Sequence, residues 1–300
     1  MQLEVVKDIS QEEFVAEYVA KNKPVVVDNI PYSAESWTPE ALKDSIGELT
    51  TQIYGTLFDL ENIASLEEYL EDHFGQTGGA YPEDVPYVRW YNQLKDVDFV
   101  WGDEAFEALQ PFWQKPACVP DHDLIVPVTS DTKSVDPVMD NFPYRGILIA
   151  ARGARTRMHR DPFCSDAIVA QFYGTKQAVL YHPDRTQELM EASDGSSFGG
   201  FIDVREEGNL DVITAEPDYQ GLISPGQMIY IPHGWLHDVL VVDDSVSVTW
   251  NFVHKQGAQE FLQYLKDDPS DDSEFEVLQH FIKRGGLGEL NHQQLLAMVA

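Results

Sequence analysis

Cysteine is scarce in this chain: Cys118 and Cys164 are the only two in 300 residues. Two thiols do not make a disulfide framework, and a reducing compartment is the default for such a sequence. Basic residues are also few. Twenty Lys and Arg stand against 51 Asp and Glu, for a formal net charge of −31. A surface of that sign repels phosphate backbones, which excludes direct nucleic-acid binding through a basic face. It suits a cationic substrate such as a Lys- or Arg-containing peptide, although acidity also serves solubility alone. No apolar run approaches the ~18 residues of a membrane span. The start, MQLEVVKDISQEEF, lacks the positive charge and apolar stretch of a secretory leader. The expectation is a cytoplasmic protein that neither enters nor crosses a membrane. There is no internal repeat and no low-complexity linker.

What is present is an ordinary globular composition, 43% hydrophobic and 24% charged. A chain of this length buries roughly three-quarters of its unfolded surface and can build a substantial core. The first part alternates helix and strand signals. SQEEFVAEYV opens with a capping box, Ser10 to Glu13, and sets Phe14, Val15, Tyr18 and Val19 on one helical face. KPVVVDNI reads as a buried strand and TQIYG as a short one. WTPEAL has Thr38 as N-cap and Pro39 in the first turn. SLEEYLEDHFG is a second capped helix, and GDEAFEALQPFW a third, closed by proline.

From about residue 120 short β-rich runs follow one another: RGILIAA, DAIVAQFYG, QAVLYHP, GQMIYIP, HDVLVV and SVSVTWNFV. Evenly spaced short strands with turn signals predict a sandwich or barrel. The stretch from about 183 to 220 reads as one long acidic, Gly/Ser-rich loop. Asp243 and Asp244 read as a hairpin turn and nothing more. After Lys255, AQEFLQYLKDD, EFEVLQHFIKRGG and NHQQLLAMV carry apolar residues at helical spacing. The expected organisation is an N-terminal α/β lobe over 1–125, a barrel over 126–255 and a helical segment over 256–300.

Within the barrel, MHRDPF places His159 and Asp161 two residues apart. On a strand, such a pair projects to one face and can aim an imidazole and a carboxylate at one point. GQMIYIPHGWLHDVLVV brings a further histidine, His237, onto a strand after a turn. Two histidines and a carboxylate form the facial triad that holds non-haem Fe(II) with open positions opposite. By itself HxD is a weak signal in a chain with nine histidines. His182, His233 and His254 read as turn or strand-end residues, Trp235 and Trp250 as core, and Cys164 as a small buried filler. Tyr81, Tyr87, Trp90 and Tyr91 form an aromatic cluster ahead of the barrel, suited to a substrate entrance or to packing between lobes. Lys176 precedes an apolar run and must snorkel or find an anion. It could pair with the distal carboxylate of a dicarboxylic acid, with the Thr156 hydroxyl donating to the same group.

These motifs come in a telling order: HxD, then Gly174 and Lys176 on the next apolar strand, then PGQMIYIPHGWLHDV, then a Val/Thr-rich strand ending in NF. In that order they resemble the JmjC-type cupin oxygenases over about residues 140–255. NFPYRGILIA, and the seventeen positions from His159 to Lys176, are most similar to the branch that contains lysyl hydroxylases of proteins. The resemblance implies a double-stranded β-helix, the jelly-roll cupin barrel, mainly β with an N-terminal α/β portion and C-terminal helices. It implies Fe(II) as metal, 2-oxoglutarate as co-substrate and dioxygen as oxidant. His159, Asp161 and His237 match the iron ligands; Lys176 and Thr156 match the groups on the distal carboxylate. Thr249 and Asn251 match strand positions lining the co-substrate pocket, and Tyr87 a tyrosine that contacts it. Arg160 between the ligands, and Ile168 and Val169 where relatives often carry Asn or Trp, depart from the pattern.

The expected function is therefore hydroxylation of a protein or peptide side chain, or of an amino-acid-like small molecule. Demethylation is the less expected outcome, because no basic or reader segment accompanies the barrel. A non-catalytic cupin serving as sensor or scaffold is the alternative, and a cupin using another metal without dioxygen a third. The C-terminal helices suit a homodimer interface as well as a cap on the barrel.

Overall fold

The computed structural model describes residues 1–82, 84–94, 100–190, 200–267, 273–283 and 297. Apart from Ala297, the expected helix over NHQQLLAMV lies outside the described residues. Five strands precede the barrel proper: β1 (Val5–Lys7), β2 (Val25–Asp28), β3 (Thr50–Tyr54), β4 (Leu60–Ser65) and β5 (Tyr87–Tyr91). Then come β6 (Leu124–Val126), β7 (Gly146–Ala150), β8 (Arg155–His159), β9 (Asp166–Tyr173) and β10 (Lys176–Tyr181). The last six are β11 (Arg205–Glu206), β12 (Asn209–Ile213), β13 (Tyr219–Ile223), β14 (Gln227–Ile231), β15 (Leu236–Val241) and β16 (Ser245–His254).

Two sheets face each other, as a jelly roll requires. The larger runs β1-β2-β14-β9-β16-β7-β5-β3-β4, with β6 beside β16; the smaller runs β13-β10-β15-β8. Strands from the N-terminal part lengthen the larger sheet at both ends. The fold is the double-stranded β-helix that the motifs imply.

The alternation in SVSVTWNF shows how the large sheet works. All ten residues of β16 are buried. Val246, Val248, Trp250 and Phe252 join the main core with Phe14, Trp37, Trp90, Trp113 and Phe172. Thr249 and Asn251 face the other way and line the space between the sheets. The polar residues of this strand therefore point into the barrel, not into solvent, and the apolar ones pack under the N-terminal helices Pro39–Ile46, Leu66–His73 and Asp103–Leu109. Thr38 caps the first of these and Ser65 forms a capping box with Glu68 on the second, as their sequences predict. At the start of the chain the Ser10 capping box forms too, but the helix is α only over Gln11–Phe14 and widens to a π-helical turn over Val15–Val19.

The C-terminal helices Ala258–Lys266 and Ser273–Ile282 close one end of the barrel. Phe261, Leu265, Val277, Leu278, Phe281 and Ile282 cluster there with Val126, Val253 and Phe163.

Three expectations need correction. The stretch 183–220 is not one loop. Among its described residues it holds a helical turn at Thr186–Leu189, the β11–β12 hairpin and the start of β13. Its short polar strands lack the apolar run by which strands are recognised. The aromatic segment before the barrel is itself a strand: β5 pairs with β7 along its whole length and with β3. Asp244 does more than turn a hairpin. Its carboxylate accepts from the backbone N–H of Gly75 at 2.7 Å and of Arg152 at 2.8 Å, tying two distant loops.

A buried ionic network fastens the small sheet to the β11–β12 hairpin. Asp238 on β15 is fully buried. Its carboxylate accepts from Arg155 Nε at 2.7 Å and from Arg205 Nε at 2.5 Å. Arg155 reaches on to Asp203, which also pairs with Arg157. Removing the central carboxylate leaves two guanidinium groups buried without their shared anion. Asp238→Ala should therefore lose about 3–5 kcal/mol of stability, read from urea unfolding. A loss below ~1 kcal/mol would mean that Asp203 and water suffice to hold both arginines.

Candidate metal centre

The strand alternation that builds the fold also fills the cavity. Between the sheets lies a space of about 310 Å³ lined by Tyr87, Arg89 and Tyr91 of β5, Val169 and Gln171 of β9, and Thr249 and Asn251 of β16. Lys176, Thr156, His159, Asp161 and His237 line it as well. Each of the eight residues singled out from the sequence thus reaches one cavity. Of the two strand residues that depart from the family pattern, Val169 faces in, whereas Ile168 packs in the main core.

How Thr156 and His159 both get there is not visible in the spacing. Three residues apart on a regular strand, they would face opposite sides. Strand β8 pairs antiparallel with β15, matching His159 to His237 and Thr156 to Val239. Three steps on β8 thus span two on β15, and the register shifts between them. This bulge turns both side chains inward. His237 and His159 are direct cross-strand partners, with ring centroids 4.2 Å apart.

Asp161 arrives differently from expectation. β8 ends at His159, and Asp161 lies beyond it in extended conformation, opening the 3-10 turn Pro162–Cys164. The pleat therefore does not place it; the turn does. Phe163 and Cys164 both take left-handed backbone conformations there, with φ of 40° and 52°. Such residues cost of order 1 kcal/mol each and persist when their surroundings hold them. Here the buried Phe163 stacks on Tyr144 at 5.7 Å and packs in the cluster of the C-terminal helices.

One donor atom from each of His159, Asp161 and His237 lies within 4.8 Å of the others, close enough to share a metal ion. The His237 Nε2 is 3.7 Å from Asp161 Oδ2. The tautomers follow from the backbone. His159 Nδ1 lies 2.9 Å from the carbonyl of Arg157, and His237 Nδ1 lies 3.1 Å from that of Trp235. A carbonyl only accepts, so each Nδ1 carries the proton and each Nε2 offers a lone pair. Burial pushes His159 well below the usual histidine range, helped by His237, so its imidazole stays neutral. Burial likewise raises Asp161. Asn251 is a hydrogen-bond partner of that carboxylate and donates to Ser165 Oγ at 2.8 Å.

Lys176 is buried, 5% exposed, and donates to Ser247 Oγ at 2.5 Å. Ser247, which sequence reading did not single out, is on the same face of β16 as Thr249 and Asn251. Burial, with the Arg89 charge nearby, lowers Lys176 to about 7. Tyr87 hydrogen-bonds Thr156 through their hydroxyls. Thr249 spends its hydroxyl on the carbonyl of Ile168, 3.0 Å away, so it shapes the cavity more than it offers a donor. The three histidines read from the sequence as turn or strand-end residues are structural: His233 pairs with Asp166 at 3.0 Å, and His254 and His182 accept from backbone N–H groups at 3.1 and 3.3 Å. Arg160 is exposed at the cavity mouth, 5.9 Å from the Phe201 ring. Sequence reading also passed over Arg89, although YVRWY alternates in the way that would have set it beside Tyr87 and Tyr91.

Comparisons with known proteins agree with this architecture. The family described as "Cupin-like domain" matches residues 10–258. The arginine-specific demethylase JMJ22 of Arabidopsis thaliana is 24% identical over 277 residues, which cover 87% of this chain and 48% of that protein. JmjC domain-containing protein A of Dictyostelium discoideum is 23% identical over 265 residues, 81% of this chain and 92% of that one. The 2-oxoglutarate and iron-dependent oxygenase JMJD4 of Danio rerio is 22% identical over 164 residues, 53% and 39% respectively. The chain spans about half the length of JMJ22 and a quarter of the lysine-specific demethylase JMJ21 of Arabidopsis thaliana.

The lysine carries a pH signature with a definite sign. Its pKa is depressed on folding, so between about pH 7 and 10 the unfolded chain binds a proton that the ligand-free native chain does not. Over that window stability relative to Lys176→Met should rise with pH, by up to about 1.4 kcal/mol per unit. Urea unfolding of both proteins from pH 6.5 to 9.5 measures it. A pH-independent difference would place the ammonium in contact with water.

Proposed function

The chain belongs to the cupin-like domain family, and from that premise we propose that it is an Fe(II)- and 2-oxoglutarate-dependent oxygenase that hydroxylates a protein or peptide side chain or an amino-acid-like small molecule. One observation carries this reading: His159, Asp161 and His237 converge in the same cavity as a buried lysine. Two imidazoles and one carboxylate suit Fe(II), which would supply the redox chemistry of an oxygenase there. The names of the JMJD4 relatives, which pair 2-oxoglutarate with iron, support the choice of co-substrate.

In this reading bound iron and 2-oxoglutarate supply the oxidising power, by coupling decarboxylation of the keto acid to oxygen insertion into a C–H bond. The protein's own residues supply everything else. The Arg157 and Trp235 carbonyls hold both imidazoles in the metal-binding tautomer. Asn251 orients the Asp161 carboxylate. Lys176, with Thr156 and Tyr87, receives the distal carboxylate of the co-substrate. Above about pH 7 the neutral amine there must take up a proton as the anion binds, so 2-oxoglutarate affinity falls as pH rises. The aliphatic side chains of Val169, Ile229, Ile231 and Val239 exclude water from the cavity.

The names of JMJ22 and JMJ21 favour a second reading, in which the oxidised carbon is an N-methyl group and formaldehyde is released. The site serves either outcome; the substrate decides. Two unpaired cysteines suit a reducing compartment, and we place the protein in the cytoplasm on that ground.

An anaerobic titration with Fe(II) and 2-oxoglutarate tests the core of the proposal. A weak visible charge-transfer band should grow and saturate near one iron per chain. His159→Ala should abolish it and Lys176→Ala should raise the 2-oxoglutarate requirement at least tenfold. Absence of the band at saturating ligand would leave a metal-binding or structural cupin.

A further inference from the structure

The proposed co-substrate leaves one buried cation unaccounted for. Arg89 projects from β5 into the cavity and is 1% exposed. Its guanidinium lies 3.2 Å from the Phe58 ring centroid and 4.0 Å from that of Tyr87, flat-sided groups that hold a planar cation. Phe58 in turn meets the His159 ring edge-on, with centroids 5.6 Å apart. The guanidinium thus sits beside the triad. Nη2 makes a long contact of 3.4 Å to Thr156 Oγ1, and the Tyr87 hydroxyl is a further hydrogen-bonding neighbour of the guanidinium; Nε and Nη1 are buried and hold no hydrogen bond. Among the described residues no carboxylate pairs with it. The contrast with Arg155 and Arg205 is direct, since both of those share Asp238.

A buried guanidinium without an anion is costly, and stacking on rings compensates only part of that cost. The charge count of the loaded cavity shows what is missing. Fe(II) and protonated Lys176 bring three positive charges; Asp161 and the 2-oxoglutarate dianion bring three negative ones. Arg89 then leaves one positive charge uncompensated. In the proposed reading the metal would take one co-substrate carboxylate and Lys176 the other. The remaining anion has to come with the molecule being oxidised. We propose that Arg89 binds a carboxylate of the substrate, so that the enzyme acts on an acidic side chain or a carboxylate-bearing small molecule. Arg160, exposed at the mouth without an acidic partner among the described residues, extends the same sign outward. The cavity thus selects the opposite charge from the one that the acidic surface suggests.

This inference rests on the oxygenase reading and is tested on the loaded protein. The anaerobic Fe(II)·2-oxoglutarate complex is titrated with propionate and, as its neutral counterpart, propionamide, following the charge-transfer band and the heat of binding. Propionate should bind saturably and at least tenfold more tightly than propionamide. Arg89→Gln should lose that preference, and Arg89→Lys should retain part of it. Thermal unfolding of each variant identifies any that has failed to fold, and the lysine variant then carries the test. Equal binding of acid and amide to the wild-type complex would overturn the inference. A tenfold or greater loss of 2-oxoglutarate affinity in Arg89→Gln would overturn it too, by assigning the residue to the co-substrate. Failure of the wild type to bind 2-oxoglutarate at all would instead remove the oxygenase reading, and this inference with it.

Discussion

The pairing of β8 with β15 is the constraint on which the site depends. Side chains on a strand alternate, so a regular β8 would present either Thr156 or His159 to the barrel interior. The shifted register sets three steps of β8 against two of β15, and both enter. Because His159 and His237 are matched across the same pair, the two imidazoles are set by backbone hydrogen bonding before any metal arrives. The carbonyls of Arg157 and Trp235 then fix the rings, each two residues before its histidine. Asp161 is outside this ladder. Its position depends on a strained turn clamped by Phe163 against Tyr144 and the C-terminal helices, so those helices support the metal site from a distance.

Electrostatics divides the molecule into an outside and an inside of opposite character. The chain carries a net charge of −31. Among the described residues the cavity lining holds Lys176 and Arg89, both buried, and one carboxylate, Asp161. Behind β15 the opposite face carries Asp238, where two arginines converge on one buried carboxylate. Neighbouring residues of one strand thus serve two networks: His237 faces the cavity and Asp238 faces the hairpin. A change at Asp238 would be felt at His237 through the strand they share.

Much of this was legible in local sequence, for reasons that differ by element. The capping boxes at Ser10 and Ser65 and the Thr38–Pro39 start formed because their partners lie within one helical turn. The apolar runs of the barrel became strands because burial on both faces demands them. What was misread has a common cause. β11 and β12 are short, polar strands held by pairing, not by apolar patterning. β5 looked like an aromatic cluster because its role depends on β3 and β7, which are distant in the chain. Asp244 was dismissed because its partners, Gly75 and Arg152, are remote.

The sequence by itself determined the class of fold, through the order and alternation of its strands, and the chemical types of the candidate ligands, through HxD, the later histidine and the lone lysine before an apolar run. Those are properties of residue type and near spacing. Tertiary structure decided which of these groups meet, through the register shift on β8 and the turn after it. It also decided the partnering of each buried charge: Arg155 and Arg205 meet Asp238, whereas Arg89, among the described residues, meets aromatic rings and the hydroxyls of Thr156 and Tyr87. Burial and partnering are set by contacts between residues far apart in the chain, and no local pattern encodes them.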